Sequence, residues 1–565
     1  MTQVPTPDNV IAPFSGVQVD AVRGQPMLLE RRGDDFWAQF DDPDFRGRHG
    51  ETRRISRKVV LMTGSHQQQV YWYATGLHRL ISKLPAIYLI REKQWIPRRA
   101  AFLHPPDEPA GSETGGWNGI CIACHTTNGK PEIDTPFGSQ PVLRQVVEST
   151  VSEFGIACEA CHGPAEEHTR VNRNPARRYW LHLTAKEDTT IAHPLRVDPR
   201  RSSQICGQCH SIWEFYDVAA ERQANSHGLP YRPGAELRDT RFMVQPTTNL
   251  NSQTMREILA EDPSFLSDSF WSDGMVRVSG REYNGLIESP CFKDAHDAKR
   301  TLSCFSCHAE HEGAGDPRSV QNWADGHQLA AGMDGNEACL QCHSKFRTNL
   351  QDHTRHHSAS ANLCYNCHMP YTSYGLLRAL RSHQVSSPSV AASVSTGRPN
   401  ACNQCHLDRT LAWTSEYLAK WYAIPKPELT AEQQTISAAI LWLLRGDAGQ
   451  RALMAWSAGW QPARQASGVD WMAPFVGQLL DDPYDAVRFI AARSLATLPG
   501  FENFNYNFLA SPNVRAEAVS NVVSAWRGAH RADPQLLLGA GGAVDFDMLK
   551  ALKTKRDDRR MFMRE

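Results

Sequence analysis

One short arrangement of side chains, C-x-x-C-H, occurs seven times in the sequence and takes up 14 of its 15 cysteines. Random placement of 15 cysteines and 23 histidines in 565 residues predicts roughly 0.02 copies. The repetition is therefore not accidental. In chain order, motifs 1 to 7 are Cys121/Cys124/His125, Cys158/Cys161/His162, Cys206/Cys209/His210, Cys304/Cys307/His308, Cys339/Cys342/His343, Cys364/Cys367/His368 and Cys402/Cys405/His406.

The spacing of the motif has a chemical reason. Two thiols three positions apart can each form a thioether with one of the two vinyl groups of a haem, and the adjoining histidine then lies under the iron as its proximal ligand. A zinc site would need two converging C-x-x-C pairs and gives no reason for a histidine after every second cysteine. A thioredoxin-like redox pair would occur once, near a βαβ pattern. The sequence predicts seven c-type haems, one at each motif.

Composition narrows the class of protein. A formal net charge of −1 argues against nucleic acid or an anionic membrane surface as the main partner. No stretch of 18 or more apolar residues occurs, so no membrane span is predicted. Covalent haem attachment is completed outside the cytoplasm, so we expect an exported protein, either periplasmic or extracellular. Residues 1–16 have neither the basic nor the apolar part of a signal peptide, and we expect the sequence to be a mature or renumbered form.

The chain divides into three parts by composition. Residues 1–120 contain no motif, and β-type runs at 57–62 and 69–73 predict a small β-rich domain. Residues 121–410 hold all seven motifs, with roughly 41 residues per motif, which is too little chain for an ordinary hydrophobic core. We expect a mostly irregular and α-helical haem core with little regular secondary structure. Residues 411–565 contain no cysteine and predict an α-helical domain.

Helical periodicity is clearest near the C-terminal end. Apolar and small residues from Val487 to Leu498 recur on one helical face that ends at Pro499-Gly500. An earlier helix is predicted to begin at Thr430, where a capping box with Gln433 is possible, and to stop at Gly446. Segments 482–495 and 511–522 share an opening turn and a Val-Arg pair, which resembles HEAT-type repeats. An ordinary helical domain is the alternative.

The motif density, together with CEACHGPAEEH at 158–168, CFSCHAEH at 304–311 and CYNCHMP at 364–370, resembles the multihaem cytochrome c superfamily. That group includes pentahaem nitrite reductases, octahaem hydroxylamine and tetrathionate enzymes, and smaller electron carriers. The resemblance covers residues 60–410 and implies stacked haem pairs, mostly with two histidine ligands per iron. Nitrite reductases carry C-x-x-C-K at the catalytic haem, whereas every motif here ends in histidine, and the octahaem enzymes have one haem more. The resemblance therefore implies fold and cofactor rather than a substrate.

Sixteen histidines remain for at most seven distal positions. His168 and His311 follow their motifs closely, as in the family, and His353 and His356 would share one face if their segment is helical. His66 lies beside strand-like aromatic sequence, and His383 follows a helix-like run. These six are the candidate distal iron ligands, with His327 as a seventh. The others are left as surface, propionate-contacting or packing residues: His49, His78, His104, His182, His193, His227, His296, His357 and His530.

Cys291 is the only cysteine outside the motifs, and Phe292 rather than histidine follows it. Three roles are open: a buried inert thiol, a sulfur ligand or reactive group near an open haem, or half of an intermolecular disulfide in an exported chain. It is the candidate catalytic residue if one iron is open.

Electron transfer is the function that these features favour. Seven closely spaced haems would carry electrons between redox partner proteins, such as other cytochromes or a membrane quinol-oxidising complex. One alternative is a multihaem oxidoreductase acting on a small nitrogen or sulfur oxyanion at one open haem. Another is a subunit of an extracellular cytochrome assembly or filament, or a homo-oligomer, in which the helical C-terminal part docks.

Overall fold

The structure is a computed structural model that describes residues 2–20, 26–45, 51–64, 66–107, 113–134, 145–293, 301–311, 316–529 and 531–563. His49, His296 and His530 lie outside the described residues. Among the ranges given, no helix combines the length and the apolar composition that crossing a bilayer requires.

The N-terminal region forms an antiparallel sheet in which seven strands follow the order β2-β3-β4-β5-β6-β8-β9, while β1 pairs with β5 and β7 with β6. Both β-type runs predicted from the sequence are confirmed as strands, β5 and β6. The nine strands are Thr2–Gln3, Val17–Val19, Met27–Arg32, Asp35–Asp41, Arg54–Thr63, Gln68–Ala74, Ile81–Lys83, Ala86–Leu89 and Gln94–Pro97.

The motif-bearing region consists of short helices joined by irregular segments, as its small length per motif predicts. No helix described there exceeds 10 residues. Helices α1 to α17 are Ile122–His125, Cys158–His162, Glu166–Val171, Pro175–Thr184, Pro199–Gly207, Val218–His227, Pro246–Asn249, Gln253–Glu261, Phe265–Ser269, Glu282–Glu288, Pro290–Lys293, Val320–Asp325, Glu337–Leu340, Leu350–Thr354, Cys364–His368, Val390–Thr396 and Ala401–Cys405. Three two-stranded ribbons pair Thr126–Thr127 with Glu153–Phe154, Trp213–Glu214 with Phe242–Met243, and Ser373–Gly375 with Arg378–Leu380.

The C-terminal region is helical and packs through fully buried side chains such as Ile490 and Leu495. One cluster of buried apolar residues runs from Trp72 in the sheet through Trp271 in the motif region to these helices. Helices α18 to α26 are Leu411–Tyr422, Ala431–Thr435, Ala438–Arg445, Ala448–Gly459, Gln461–Ser467, Ala473–Gly477, Asp485–Leu495, Pro512–Ala525 and Phe546–Lys553. Domain boundaries at 120 and 410, and the HEAT-type repeat, remain predictions.

Two helix predictions need correction. The capping box between Thr430 and Gln433 is present, but the predicted helix is two helices, because the chain is extended at Ile436 and Ser437 starts a new helix by capping Ile440. The helix predicted to reach Leu498 ends at Leu495. At the first site the amide of Ser437 donates to the distant carbonyl of Gln535, whereas beyond Leu495 local turn bonds, such as that from the amide of Leu498 to the carbonyl of Leu495, replace the helical ones.

Candidate haem sites

Each motif lies on a short helical turn. In motifs 3, 4, 5 and 7 the histidine amide donates to the carbonyl of the first cysteine, with N···O distances of 2.8 to 2.9 Å. Motifs 2 and 6 coincide with α2 and α15. Residues at i, i+3 and i+4 share one face of such a turn. The local fold therefore points both thiols and the imidazole of one motif to the same side.

The motif cysteines line two large cavities. One of 2930 Å³ is lined by at least one cysteine from every motif. The other, of 1670 Å³, is lined by Cys121, Cys124 and His125 of motif 1, with His66 and His104. Each exceeds the roughly 300–1,000 Å³ of a pocket for a single ligand. All 15 cysteines are free thiols, so space and attachment groups fit several covalently bound haems.

Hydrogen bonds orient several of the motif histidines, which are the candidate proximal ligands. The Nδ1 atom of His162 bonds the carbonyl of Ala192 at 2.8 Å, that of His308 bonds the carbonyl of His327 at 3.0 Å, and that of His368 bonds the carbonyl of Ser386 at 3.1 Å. Because Nδ1 donates in each of these contacts, the lone pair is left on Nε2. This is the tautomer that a histidine needs to bind iron through Nε2.

Four proximal histidines face a second histidine at nearly constant distance. The ring centroids are 6.3 Å apart in His162/His311, 6.4 Å in His308/His383, 6.2 Å in His368/His353 and 6.0 Å in His406/His356. Interplanar angles are 15°, 22°, 6° and 33° in the same order. Two metal–imidazole bonds of about 2 Å on opposite sides of one iron would set the centroids roughly 6 Å apart. The four pairs therefore have the separation of axial ligands.

The other three proximal histidines have different neighbours. His125 shares the smaller cavity with the candidate ligand His66. The Nδ1 atom of His210 lies 2.8 Å from a carboxylate oxygen of Glu282. The ring centroid of the exposed His343 lies 6.4 Å from that of Phe346, a side chain that cannot bind iron.

Three of the predicted distal residues do not belong to the four ring pairs. His168 lies in a polar cluster, where its Nδ1 atom is 3.2 Å from Asp188 and 3.1 Å from Asn172. The backbone carbonyl of His327 accepts the Nδ1 hydrogen bond of His308. His66 lies in the smaller cavity, as described above. Their roles as ligands remain predictions.

The sequence pattern missed one neighbour of motif 2. The ring of His193 lies 6.5 Å from that of His162, at an interplanar angle of 89°. Its chain neighbour Ala192 accepts the Nδ1 hydrogen bond of His162.

Burial keeps two proximal histidines neutral. Burial, reinforced by nearby positive groups, lowers the pKa of His125 and of His406 to about 4. Burial also lowers the pKa of His353 and His383. Neutral imidazole is the form that binds metal, so at neutral pH these rings need lose no proton before binding.

Cys291 lines the larger cavity and is half-buried. Burial raises the pKa of its thiol, and the sulfur of Cys342 in motif 5 is among its electrostatic neighbours. A raised pKa disfavours the reactive thiolate. This environment is typical of an inert thiol, although the three roles named above stay open.

Comparison with known proteins agrees with the motif chemistry. Residues 102–363 match the family model of cytochrome c552. The crystal structure of the outer cell wall cytochrome OcwA matches with 16% sequence identity and a TM-score of 0.38, over 78% of this chain and 88% of that chain. A search of curated proteins finds no match. The seven C-x-x-C-H motifs, which line these cavities, and the match of residues 102–363 together make this chain similar to the cytochrome c552 family of multihaem c-type cytochromes.

Proposed function

We propose that the protein is an electron-conducting cytochrome that holds seven haems in contact, most of them ligated by two histidines. Each haem iron would take up and release one electron. The four histidine pairs carry the proposal, because a second histidine occupies the position that a small substrate needs on iron. The chain's part is to fix the spacing, the axial ligands and the burial of the haems.

Contacts between motifs support a defined order of haems. The thiols of Cys124 and Cys209 are close neighbours, and the Cys209 thiol also donates to the carbonyl of Cys124 at 3.9 Å, which brings motifs 1 and 3 together. The thiols of Cys206 and Cys304 are close neighbours between motifs 3 and 4, as are those of Cys339 and Cys364 between motifs 5 and 6. Because these sulfurs would become thioethers, the edges of the corresponding haems would lie side by side.

Glutamine side chains supply the remaining links. The amide of Gln208 in motif 3 donates to the carbonyl of Ala160 in motif 2 at 2.8 Å. Gln341 in motif 5 donates to Ser306 in motif 4 at 3.0 Å. Gln404 in motif 7 exchanges two hydrogen bonds with Tyr371, which follows motif 6. The proposed path is therefore 1–3–4–5–6–7, with the haem of motif 2 beside motif 3.

Location and partners follow from the same chemistry. Covalent attachment of haem outside the cytoplasm supports an exported protein, periplasmic or extracellular. Redox proteins such as other cytochromes or a membrane quinol-oxidising complex would then donate and accept the electrons. The helical C-terminal region offers a surface for a further copy in a homo-oligomer or filament.

An oxidoreductase for a small nitrogen or sulfur oxyanion is the second candidate function. The observation that favours it is Phe346 beside the exposed His343, since an iron at motif 5 without a distal histidine could bind a ligand. The test is to titrate the reduced protein with carbon monoxide and to assay nitrite, hydroxylamine and tetrathionate with a reduced dye. We expect at least four haems that bind no carbon monoxide, and no turnover. Turnover of nitrite, hydroxylamine or tetrathionate would show that the protein is an oxidoreductase rather than an electron carrier.

The haem count has its own test. We expect intact-mass spectrometry of the holoprotein to show seven covalent haems, because all 14 motif cysteines stand at attachment spacing. Cys291→Ser should retain all seven, since Cys291 lies outside every motif. Six or eight haems in the wild type, or a haem lost with Cys291→Ser, would show that the motif interpretation is incomplete.

The axial pair at motif 2 can be tested against a matched neighbour. We expect His311→Ala to convert one low-spin haem to high spin or to open it to carbon monoxide, because the His311 ring faces that of His162 at 6.3 Å and is tilted from it by only 15°. His193→Ala is the control: its ring is equally near His162 but perpendicular, next to the carbonyl that accepts the Nδ1 proton. Electron paramagnetic resonance of the oxidised protein separates the two. A high-spin signal from His193→Ala alone would transfer the ligand role to His193.

A further inference from the structure

Motif 3 differs from motifs 2, 4 and 6 in the group that its histidine bonds. The Nδ1 atoms of His162, His308 and His368 donate to backbone carbonyls, which are neutral acceptors. His210 instead donates from Nδ1 to Oε2 of Glu282 at 2.8 Å. The proximal ligand of motif 3 is therefore bonded to a charged group.

The start of helix α10, Glu282–Glu288, is fixed against motif 3 by several contacts. The amide of Tyr283 donates to the carbonyl of His210 at 2.9 Å. The Tyr283 ring packs on Gly207, where a Cβ atom would lie 2.8 Å from the ring. Any larger residue at Gly207 would displace α10. These contacts place the Glu282 carboxylate beside the imidazole.

The two carboxylate oxygens of Glu282 have separate partners. Oε1 accepts from the amide of Gly280 at 3.0 Å, while Oε2 accepts from His210. Within the described part of the chain, no lysine or arginine forms an ion pair with Glu282, and His210 is its charged partner. The nearby guanidinium of Arg281 donates to the carbonyls of Cys209 and Gly280 instead. The negative charge of Glu282 therefore acts most strongly on the imidazole of His210, and more weakly on that of His383, which faces His308 of motif 4.

We infer that Glu282 lowers the reduction potential of the haem at motif 3 below the value that a carbonyl-bonded histidine would give. A carboxylate draws the Nδ1 proton toward itself, so the imidazole donates more electron density through Nε2. Extra donation stabilises ferric iron over ferrous iron in the one-electron couple, which lowers the potential.

The effect of Glu282 matters for electron transfer only if the proposed function is correct, and the inference rests on that proposal. Motif 3 contacts motifs 1, 2 and 4 and is therefore the junction of the proposed path. A haem with a low potential at this junction is reduced for only a small fraction of the time, so that electrons pass on to a neighbouring haem.

The test is Glu282→Gln in the holoprotein, with spectroelectrochemical titration of all haems. The amide keeps the shape and an acceptor oxygen but removes the charge. We expect one midpoint potential to rise by at least about 59 mV, which is a tenfold change in the equilibrium of a one-electron couple. A smaller rise is expected at motif 4, because His383, which faces His308, is also an electrostatic neighbour of Glu282. The other five potentials and the haem count should stay at their wild-type values.

A carboxylate on the same helix provides the control. Glu288 is bonded to Gln245, Thr247 and Lys293, and in the part of the chain that the structure describes it has no hydrogen bond or ion pair with a motif histidine. Glu288→Gln should leave every potential at its wild-type value. Glu282→Asp retains the charge on a shorter side chain and should raise the midpoint potential less than Glu282→Gln does. This variant can still be measured if Glu282→Gln does not accumulate as a folded protein.

Two outcomes would overturn the inference: seven unchanged potentials in both Glu282 variants, or an equal shift of all seven, which would indicate a global change of structure. The proposed function fails separately. If the wild type turns over a nitrogen or sulfur oxyanion, the protein is not a simple electron carrier. The effect of Glu282 on the potential of motif 3 would still be measurable in that case.

Discussion

Substituting both cysteines of motif 4, Cys304→Ala with Cys307→Ala, is expected to divide the proposed path into two halves. Motif 4 joins motifs 1 to 3 with motifs 5 to 7 through the Cys206/Cys304 contact and the Gln341 hydrogen bond to Ser306. Without the haem at motif 4 an electron must tunnel across the space of one whole haem. Tunnelling rates fall exponentially with distance, so we expect conduction through the protein to fall by orders of magnitude.

The matched control removes a haem beside the path. Cys158→Ala with Cys161→Ala deletes the haem of motif 2, which contacts motif 3 but does not connect the two halves. Both double variants should carry six haems by intact mass. The current across a protein film between two electrodes should fall steeply for the motif 4 variant and much less for the motif 2 variant. Equal currents would show that the order of haems inferred from the sulfur contacts is wrong.

The attachment sites and the proximal ligands are local, and the sequence predicts them residue by residue. Thiols at i and i+3 with a histidine at i+4 share a face of one helical turn wherever that turn lies in the fold. The strands at β5 and β6 and the capping box at Thr430 are local in the same sense. Neither needs information from distant parts of the chain.

The distal side depends on tertiary structure and is harder to predict. His353 and His356 were expected on one helical face, but α14 ends at Thr354 and Arg355 has a left-handed backbone with φ of 59°. That turn sends the two rings to different motifs, His353 to His368 and His356 to His406. His311 was expected to serve a haem other than that of motif 4, but the spacing gives no sign that its ring faces His162 of motif 2.

The link between the motif region and the C-terminal helices also escapes sequence patterns. Arg277 lies in an irregular segment of the motif region, and Asp447 caps helix α21 by accepting from the amide of Gln450 at 2.9 Å. Their side chains are 2% and 1% exposed and form an ion pair in which one guanidinium nitrogen of Arg277 lies 2.9 and 3.0 Å from the two carboxylate oxygens of Asp447. Arg559 near the C-terminal end bonds the same carboxylate.

The second large effect is expected from Asp447→Asn, which removes the charge that Arg277 needs. Breaking a buried ion pair from one side costs about 3–5 kcal/mol, because the remaining charge stays buried without a partner. Glu337→Gln is the control: its pair with Arg347 is about half exposed, and such pairs contribute about 0–1 kcal/mol. Urea denaturation followed by far-UV circular dichroism should give a clearly lower midpoint for Asp447→Asn and nearly the wild-type midpoint for Glu337→Gln.

The effect of Asp447 should depend on pH in a fixed direction. Burial alone would raise the pKa of its carboxyl, but Arg277 and Arg559 hold that pKa below the usual range. A carboxyl with a lowered folded pKa contributes all of its stability above its unfolded pKa, about 3.9, and loses it as the pH falls toward the folded pKa. The difference in midpoint between the wild type and Asp447→Asn should therefore be constant from pH 7 to about 5 and narrow below about 4. A difference that stays constant under acid would mean that Asp447 acts through the shape of the cap rather than through its charge.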